Sequence, residues 1–562
     1  MSRSRKSPQK TTSTQTVVWL VAGAFALLAL CCGCWLVFAP IMEQATQQVA
    51  PPQPIELTIA YSPEKADLFK ALVADFNAQN ARAPDGTRLM VKTVELEPDV
   101  MASGALAGNL QALSPDSSIW LGQVDRAWAD AHNGEGTLVG ATTRYAVSPV
   151  VIAMWRDVAQ SMGYPDKPLG WGDLLAKAKS DPDFKWSHPS TASASGLLAT
   201  LAEFYAGTGK TRGLTVEDVQ AQRTLEYVGA IEKTVRYYGE GEWPIAQRAV
   251  QQGRSYLDAF VCSEQIVVWA RSKGADLVAV YPAEGALWQD HPLALLEQPG
   301  LTDAQRLTFA RFSDFVRSPE AQKKVLAQGY RPADLDLPLN SSGSPIRADN
   351  GVDPAQPKTS LQIPAPAVLQ TVQQAWWLTK RRANVMLVVD TSGSMRGDKI
   401  NNVKQALKIF VEQIQNDQER VGMVLFSTQV YSTLPPQELG ANRRTLYSTI
   451  DFIQANGNTA LLDGVRVAYN QLQALKDRER INAIVVMTDG LENNSNITLS
   501  RLADTMRASN QSGTPVAVFA IAYGKDADYK TLQSLADSTG GQVREGNLDT
   551  IRQLYKILST YF

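Results

Sequence analysis

Cysteine is nearly absent. Of four in 562 residues, Cys31, Cys32 and Cys34 lie together in an apolar run and Cys262 stands alone beyond it. That excludes a disulfide framework or a CxxC zinc site from the rest of the chain and makes Cys262 a small buried hydrophobe. Histidine is scarcer still: His132, His188 and His291 are too scattered to read as a zinc set or a catalytic triad, so each is expected at the surface or packed in a core. Neither sign of charge dominates, with 54 Lys+Arg against 56 Asp+Glu and a net charge of -2. No long basic run follows the first ten residues, which excludes nucleic acid as a partner. There is no G-x-S-x-G elbow, and AGTGKT at 206 to 211 is not a phosphate loop, because Phe204 stands where the motif needs glycine.

One long stretch lacks charge altogether. Val17 to Ile41 reads VVWLVAGAFALLALCCGCWLVFAPI, long enough to cross a hydrocarbon core about 30 Å thick. A cleaved signal peptide would have a shorter apolar region, about 7 to 15 residues. LALC at 28 to 31 falls short of a lipobox because Leu30 occupies a small-residue position. Arg3, Arg5, Lys6 and Lys10 precede the run and only Glu43 comes closely after it, which orients a single-pass helix with its N-terminus in the cytoplasm. The expected organisation is a basic cytoplasmic segment (1–16), a transmembrane helix (17–41), a proline-rich stalk (42–54) and extracytoplasmic domains beyond, at the cell membrane.

From residue 55 onward the chain is patterned as α/β. IELTIAY (55–61) and LMVKTVEL (89–96) read as strands around a helix in EKADLFKALVADFNAQN (64–80). Residues 340–366 are rich in Pro, Ser and Gly and read as extended connecting chain, followed by a helix at 368–379. Thus 55–340 is one domain, 341–383 a connecting segment, and 384–562 another domain. In the last, NVMLVVD, RVGMVLF, INAIVVMTDG and PVAVFAIAY alternate with helices, the mark of a mainly parallel sheet covered on both faces. On the helix at 399–416, Ile400, Val403, Leu407, Phe410 and Ile414 form one apolar face.

Ligands of such a sheet gather at the carboxyl ends of its strands. Asp390 ends NVMLVVD and Asp489 ends INAIVVMTDG, while GNTALLDG puts Thr459 in a loop before a helix. Asp390, Ser392, Ser394, Thr459 and Asp489 can therefore meet on one rim. DTSGS, this threonine and TDG, in that order, resemble the metal-ion-dependent adhesion site of von Willebrand factor type A domains, over about 384–562. The resemblance implies a Rossmann-like fold and a Mg²⁺ or Mn²⁺ ion held by Ser392 and Ser394. Thr459 would ligate directly or through water, and Asp390 and Asp489 mainly through water. Neutral hydroxyls leave a hard cation under-neutralised, with a position open for a carboxylate of a protein partner. The plainer alternative, a serine-rich turn capping the next helix, accounts for DTSGS alone but not for the three motifs together.

In the middle region, SPVVIAMWRD (148–157), GWGDLLAKA (170–178), HPSTASASG (188–196), YPAEGALWQDHP (281–292) and GYRPA (329–333) resemble the extracellular solute-binding proteins of transport systems. The resemblance is to bacterial proteins that fuse such a module to a von Willebrand A domain. It implies a periplasmic-binding-protein-like pair of α/β lobes closing by a hinge on a small solute. HPSTASASG opens a helix, whose free amides and dipole favour anions. Ser193 and Ser195 are the expected ligand contacts there, with ordinary helix capping as the alternative.

The expected function is a membrane-anchored binding protein and not an enzyme. Its metal site grips an acidic partner while the middle domain senses or holds a solute. A transport component is the alternative. A metal-dependent hydrolase is less supported, since Asp390 and Asp489 are occupied in holding the ion and leave no general base.

Overall fold

The computed structural model describes residues 54–546 except 135 and 525. The apolar run at 17–41, the stalk before residue 54 and the last sixteen residues lie outside the described part. Among the described residues no helix is long and apolar enough to cross a membrane.

Two sheets build the middle domain. The first orders strands 89–95, 55–61, 112–114, 292–296 and 139–144, the first three parallel and 292–296 antiparallel to its neighbours. The strand Ile55–Tyr61 is followed by a helix, Ala66–Ala78, which buries Leu68, Phe69, Leu72, Val73 and Phe76, the three-and-four spacing of a single apolar face. The second sheet is built around Ala146–Trp155, a nearly all-buried strand paired antiparallel with 259–263, 277–280, 288–289 and 331–332. The chain crosses between lobes at Tyr145, again at Asp290 and His291, and a third time just before Arg331. These crossings place the interlobe cleft beside residues 62–65, 114–117, 242, 263–265 and 289–291.

The connecting segment is extended, as its composition requires, and it is docked. Ile346, Val352 and Leu361 are buried, and Ala279 N–H donates to the Gly351 carbonyl. The helix Pro366–Thr379 then packs its Val368, Val372, Ala375 and Trp376 into the core.

The C-terminal sheet runs 430–438, 420–426, 383–390, 481–488, 516–523, 542–546, all parallel except 430–438. Every residue of Ala383–Asp390 and Ile481–Thr488 is buried. Alternate side chains go to opposite faces: Val385, Leu387 and Val389 join one apolar cluster and Met386 and Val388 the other. The first of these clusters continues through Trp376 into the second lobe.

Candidate metal centre and interlobe cleft

The strands Ala383–Asp390 and Ile481–Thr488 are neighbours and end side by side, so the loops after them, 391–394 and 489–490, share one rim of the sheet. Asp390 Oδ1 accepts from Ser392 N–H at 2.7 Å and Oδ2 from the Thr488 hydroxyl at 2.5 Å. The Ser392 and Ser394 hydroxyls are 2.9 Å apart, and Ser394 donates to Asp489 Oδ1 at 2.7 Å. Gly393 N–H bonds the Gly457 carbonyl at 2.9 Å, which brings the loop carrying Thr459 alongside. A Cβ at Gly490 would lie 3.0 Å from Thr459 Oγ1 and 3.5 Å from Ser394 Oγ, so both hydroxyls crowd the same bare Cα. All five sequence-expected residues are thus brought together.

Electrostatically the rim is short of positive charge. Burial pushes the Asp390 carboxyl up to about 6, with Asp489 adding to the shift against the hydrogen bonds from Thr488 and Ser392. Lys399 pairs with Asp489 Oδ2, while no ammonium or guanidinium pairs with Asp390 among the described salt bridges. The donor set is entirely hard oxygen, which suits Mg²⁺ or Mn²⁺ rather than a soft metal.

Ser193 and Ser195 are also buried, but they differ. Ser193 caps the helix Ala194–Thr208: its Oγ accepts from Gly196 N–H at 3.1 Å and donates to the Ser190 carbonyl at 3.2 Å. Ser195 approaches Ser193 at 3.4 Å and is near enough to Glu242 to lower its carboxyl slightly, which places it beside the interlobe cleft. Cys262 is buried, as its isolation suggested, and Gly209 of the false phosphate loop is the left-handed C-cap of that helix.

Residues that the sequence does not single out as ligand contacts fill the cleft, although Gln289, His291 and Tyr330 lie within the quoted stretches YPAEGALWQDHP and GYRPA. Glu64 and Lys65 come after the first strand; Asp116 comes after the third strand of the first sheet. Lys65 Nζ donates to the Pro115 carbonyl at 2.5 Å. From the second lobe, Glu242 accepts from Ser263 N–H at 2.9 Å and Ser263 Oγ at 2.7 Å, and Gln289 Nε2 lies 3.4 Å from it. His291 N–H bonds the Asp116 carbonyl, and its ring meets Tyr330 edge-on at 5.0 Å. Burial raises Asp116 to about 6 and Glu242 to about 7. Sequence reasoning gives none of these a contact role and misses Glu64, Lys65, Asp116 and Glu242, although SPEK at 62 to 65, with charged residues at a strand's carboxyl end, is a signal for the first two.

A second cluster is equally hidden in the sequence. His188, Glu203 and Glu232, all fully buried, bring ligand atoms within 4.8 Å of one another and could hold a metal. His188 Nδ1 donates to the Pro189 carbonyl at 2.7 Å, which leaves Nε2 facing Glu232 at 3.2 Å. Tyr238 donates to Glu232 at 2.7 Å. Its members come from three separate elements with no motif spacing, so one histidine among distant carboxylates gives no signal.

Residues 57–331 match the family model "bacterial extracellular solute-binding protein", and 384–556 match the von Willebrand factor type A domain. Among curated relatives, human inter-alpha-trypsin inhibitor heavy chain H4 is 26% identical over 243 residues, 42% of this chain and 24% of that protein. Calcium-activated chloride channel regulator 1 of Mus musculus is 31% identical over 208 residues, 36% of this chain and 20% of that one. The chain therefore spans about a quarter or less of the length of these relatives. Among solved structures, the sulfate-binding protein SubI from Mycobacterium tuberculosis H37Rv is 19% identical with a TM-score of 0.36, covering 50% of this chain and 88% of that one. A von Willebrand factor type A protein from Catenulispora acidiphila is 19% identical with a TM-score of 0.28, covering 32% and 42%.

Proposed function

We propose, from a chain that joins a bacterial extracellular solute-binding protein domain to a von Willebrand factor type A domain, a membrane-anchored extracytoplasmic receptor. In this reading, the run at 17–41 anchors it. The rim of the C-terminal sheet binds a carboxylate of a protein partner through a divalent cation, and the two lobes hold a small solute. The observation that carries the reading is the hydrogen-bonded chain Asp390, Ser392, Ser394, Asp489 with Thr459 beside it.

Ser392, Ser394 and Thr459 would hold Mg²⁺ or Mn²⁺, with Asp390 and Asp489 acting mainly through water. When bound, such an ion supplies a Lewis-acidic position for an acidic side chain. The chain's own part is to keep the hydroxyls convergent: Asp390 fixes the Ser392 backbone, Asp489 orients Ser394, and Gly490 leaves them room.

Thermal denaturation of the full chain in detergent, with Mg²⁺ titrated against EDTA, tests this. A ligand at a hundred times its Kd stabilises the native state by about 2.7 kcal/mol, so a clear rise in Tm is expected. Asp390→Ala should abolish that rise, together with Mg²⁺-dependent retention of an acidic peptide. Retention that survives both EDTA and Asp390→Ala would overturn the adhesion-type mechanism.

A further inference from the structure

The cleft between the lobes sorts its charges unevenly, and the bases there are already used. Lys65 Nζ is spent on the Pro115 carbonyl and the Ser114 hydroxyl, and Arg271 pairs with Asp276 and donates to the Asp349 carbonyl. The acceptors are not used up. Glu64 Oε1 and Gln289 Oε1 are buried acceptors with no hydrogen-bond partner, and Ser62 Oγ and both ring nitrogens of His291, one an acceptor and one an N–H donor in the neutral ring, are unpartnered as well. Gln289 and His291 are fully buried. The Gln289 side chain lies in the cluster, since its other amide atom reaches Glu242. A buried acceptor left without a donor is costly, so this interior is complete only when something brings N–H or O–H groups to it.

The adjoining pocket, about 250 Å³, adds a second feature. Glu64, Asp67, Trp243, Trp269 and Tyr330 line it, with the two tryptophan rings 4.5 Å apart. Carboxylates beside indole faces recognise an organic cation, because the ring quadrupole attracts positive charge; a bare metal ion gains little from such a wall.

Resting on the solute-binding reading above, we infer that the interlobe site takes a small aliphatic amine or amidine. Its nitrogen donors would meet Glu64, Gln289 and Glu242, and its charge would lie against Trp243 and Trp269. The direction of the acid shifts agrees, since burial raises Glu64, Asp116 and Glu242 together and a bound cation would offset that cost. Ser195 then contacts the ligand through its Glu242 neighbour, whereas an anion at Ser193 and Ser195 would face that carboxyl.

The test uses the full chain in detergent with EDTA present, so that the C-terminal rim is metal-free. Calorimetric titrations with putrescine, agmatine, sulfate and maltose are paired with native mass spectrometry of the protein as purified. Putrescine or agmatine should bind and sulfate and maltose should not. Glu64→Gln, which keeps the side chain's shape, should weaken the amine at least tenfold with an unchanged Tm for the unliganded chain. Trp269→Ala should do the same without touching a carboxylate. Binding of sulfate or maltose in place of the amines, or amine binding unaffected by both variants, would overturn the ligand class while leaving the solute reading standing. No binding by any probe and no co-purified small molecule would overturn both.

Discussion

A carboxylate taken out of water needs a donor or a cation beside it, and the chain meets that need differently at Asp390 and at Glu203. Asp390 accepts two hydrogen bonds. Both oxygens of Glu203 are buried without a donor, and its carboxyl is raised well above the ordinary value, first by burial and then by Glu232. A proton on Glu203 removes its buried charge. Between the unfolded pKa, about 4.3, and the raised folded value, the native state binds more protons than the unfolded one, so stability falls as pH climbs through that window. Glu203→Gln keeps the shape and supplies a permanent N–H donor. It should change stability little near pH 4 and raise it by about 1–3 kcal/mol at pH 8, flattening the Tm against pH profile. An unchanged slope would show that Glu203 does not carry the proton. Asp390 is readable in the sequence because its loop repeats a recognised spacing with Ser392 and Ser394. Glu203, Glu64 and Glu242 are not, because their partners stand tens of residues or more away and nothing local distinguishes them from solvated acids.

Elements are more legible than sites because periodicity is local. IELTIAY, NVMLVVD and INAIVVMT form strands where their apolar runs stand, and the helix expected at 399–416 is Asp398–Gln413. The antiparallel strand Val430–Glu438 breaks the parallel rule at the sheet's edge, where its alternating half-exposed pattern fits one covered face. The link between domains shows what periodicity cannot tell. KRRA leads straight from the helix into the strand, and nothing in its spacing shows that Lys380 is buried, its Nζ meeting Glu419 Oε1 at 2.9 Å with the Trp377 ring at 5.4 Å. Glu419 also accepts from Ala383 N–H, pinning the start of the central strand. Removing one partner of a buried pair strands the other charge, so Lys380→Met should cost about 3–5 kcal/mol in urea denaturation. A cost below about 1 kcal/mol, the range of an exposed pair, would mean that Glu419 finds water or another donor.

At the scale of the molecule, the question is whether the second lobe and the C-terminal domain behave as one body. Apolar packing is continuous from the lobe through Trp376 to Val385, Leu387 and Val389, and Arg381 closes the polar side. Its N–H donates to the Tyr238 hydroxyl at 2.8 Å and Nη1 to the Val235 carbonyl at 2.7 Å, both in the lobe. Nε and Nη2 reach the Glu479 and Arg478 carbonyls at 3.0 and 2.5 Å across the boundary. Tyr238 in turn bonds Glu232, so the buried His188 cluster and the first residues of the central strand share one network. Hydrogen bonds from a charged donor contribute about 1.5–3 kcal/mol each, and the strand that starts here ends at Asp390. Arg381→Ala keeps the backbone donor to Tyr238 and removes only the guanidinium. Calorimetry of the full chain should then resolve two transitions where the unmodified chain shows one for these two units. Mg²⁺ should move only the transition that belongs to the C-terminal domain. If the variant still unfolds in a single transition that Mg²⁺ shifts as a whole, apolar packing alone couples the units and the arginine bridge adds nothing to it.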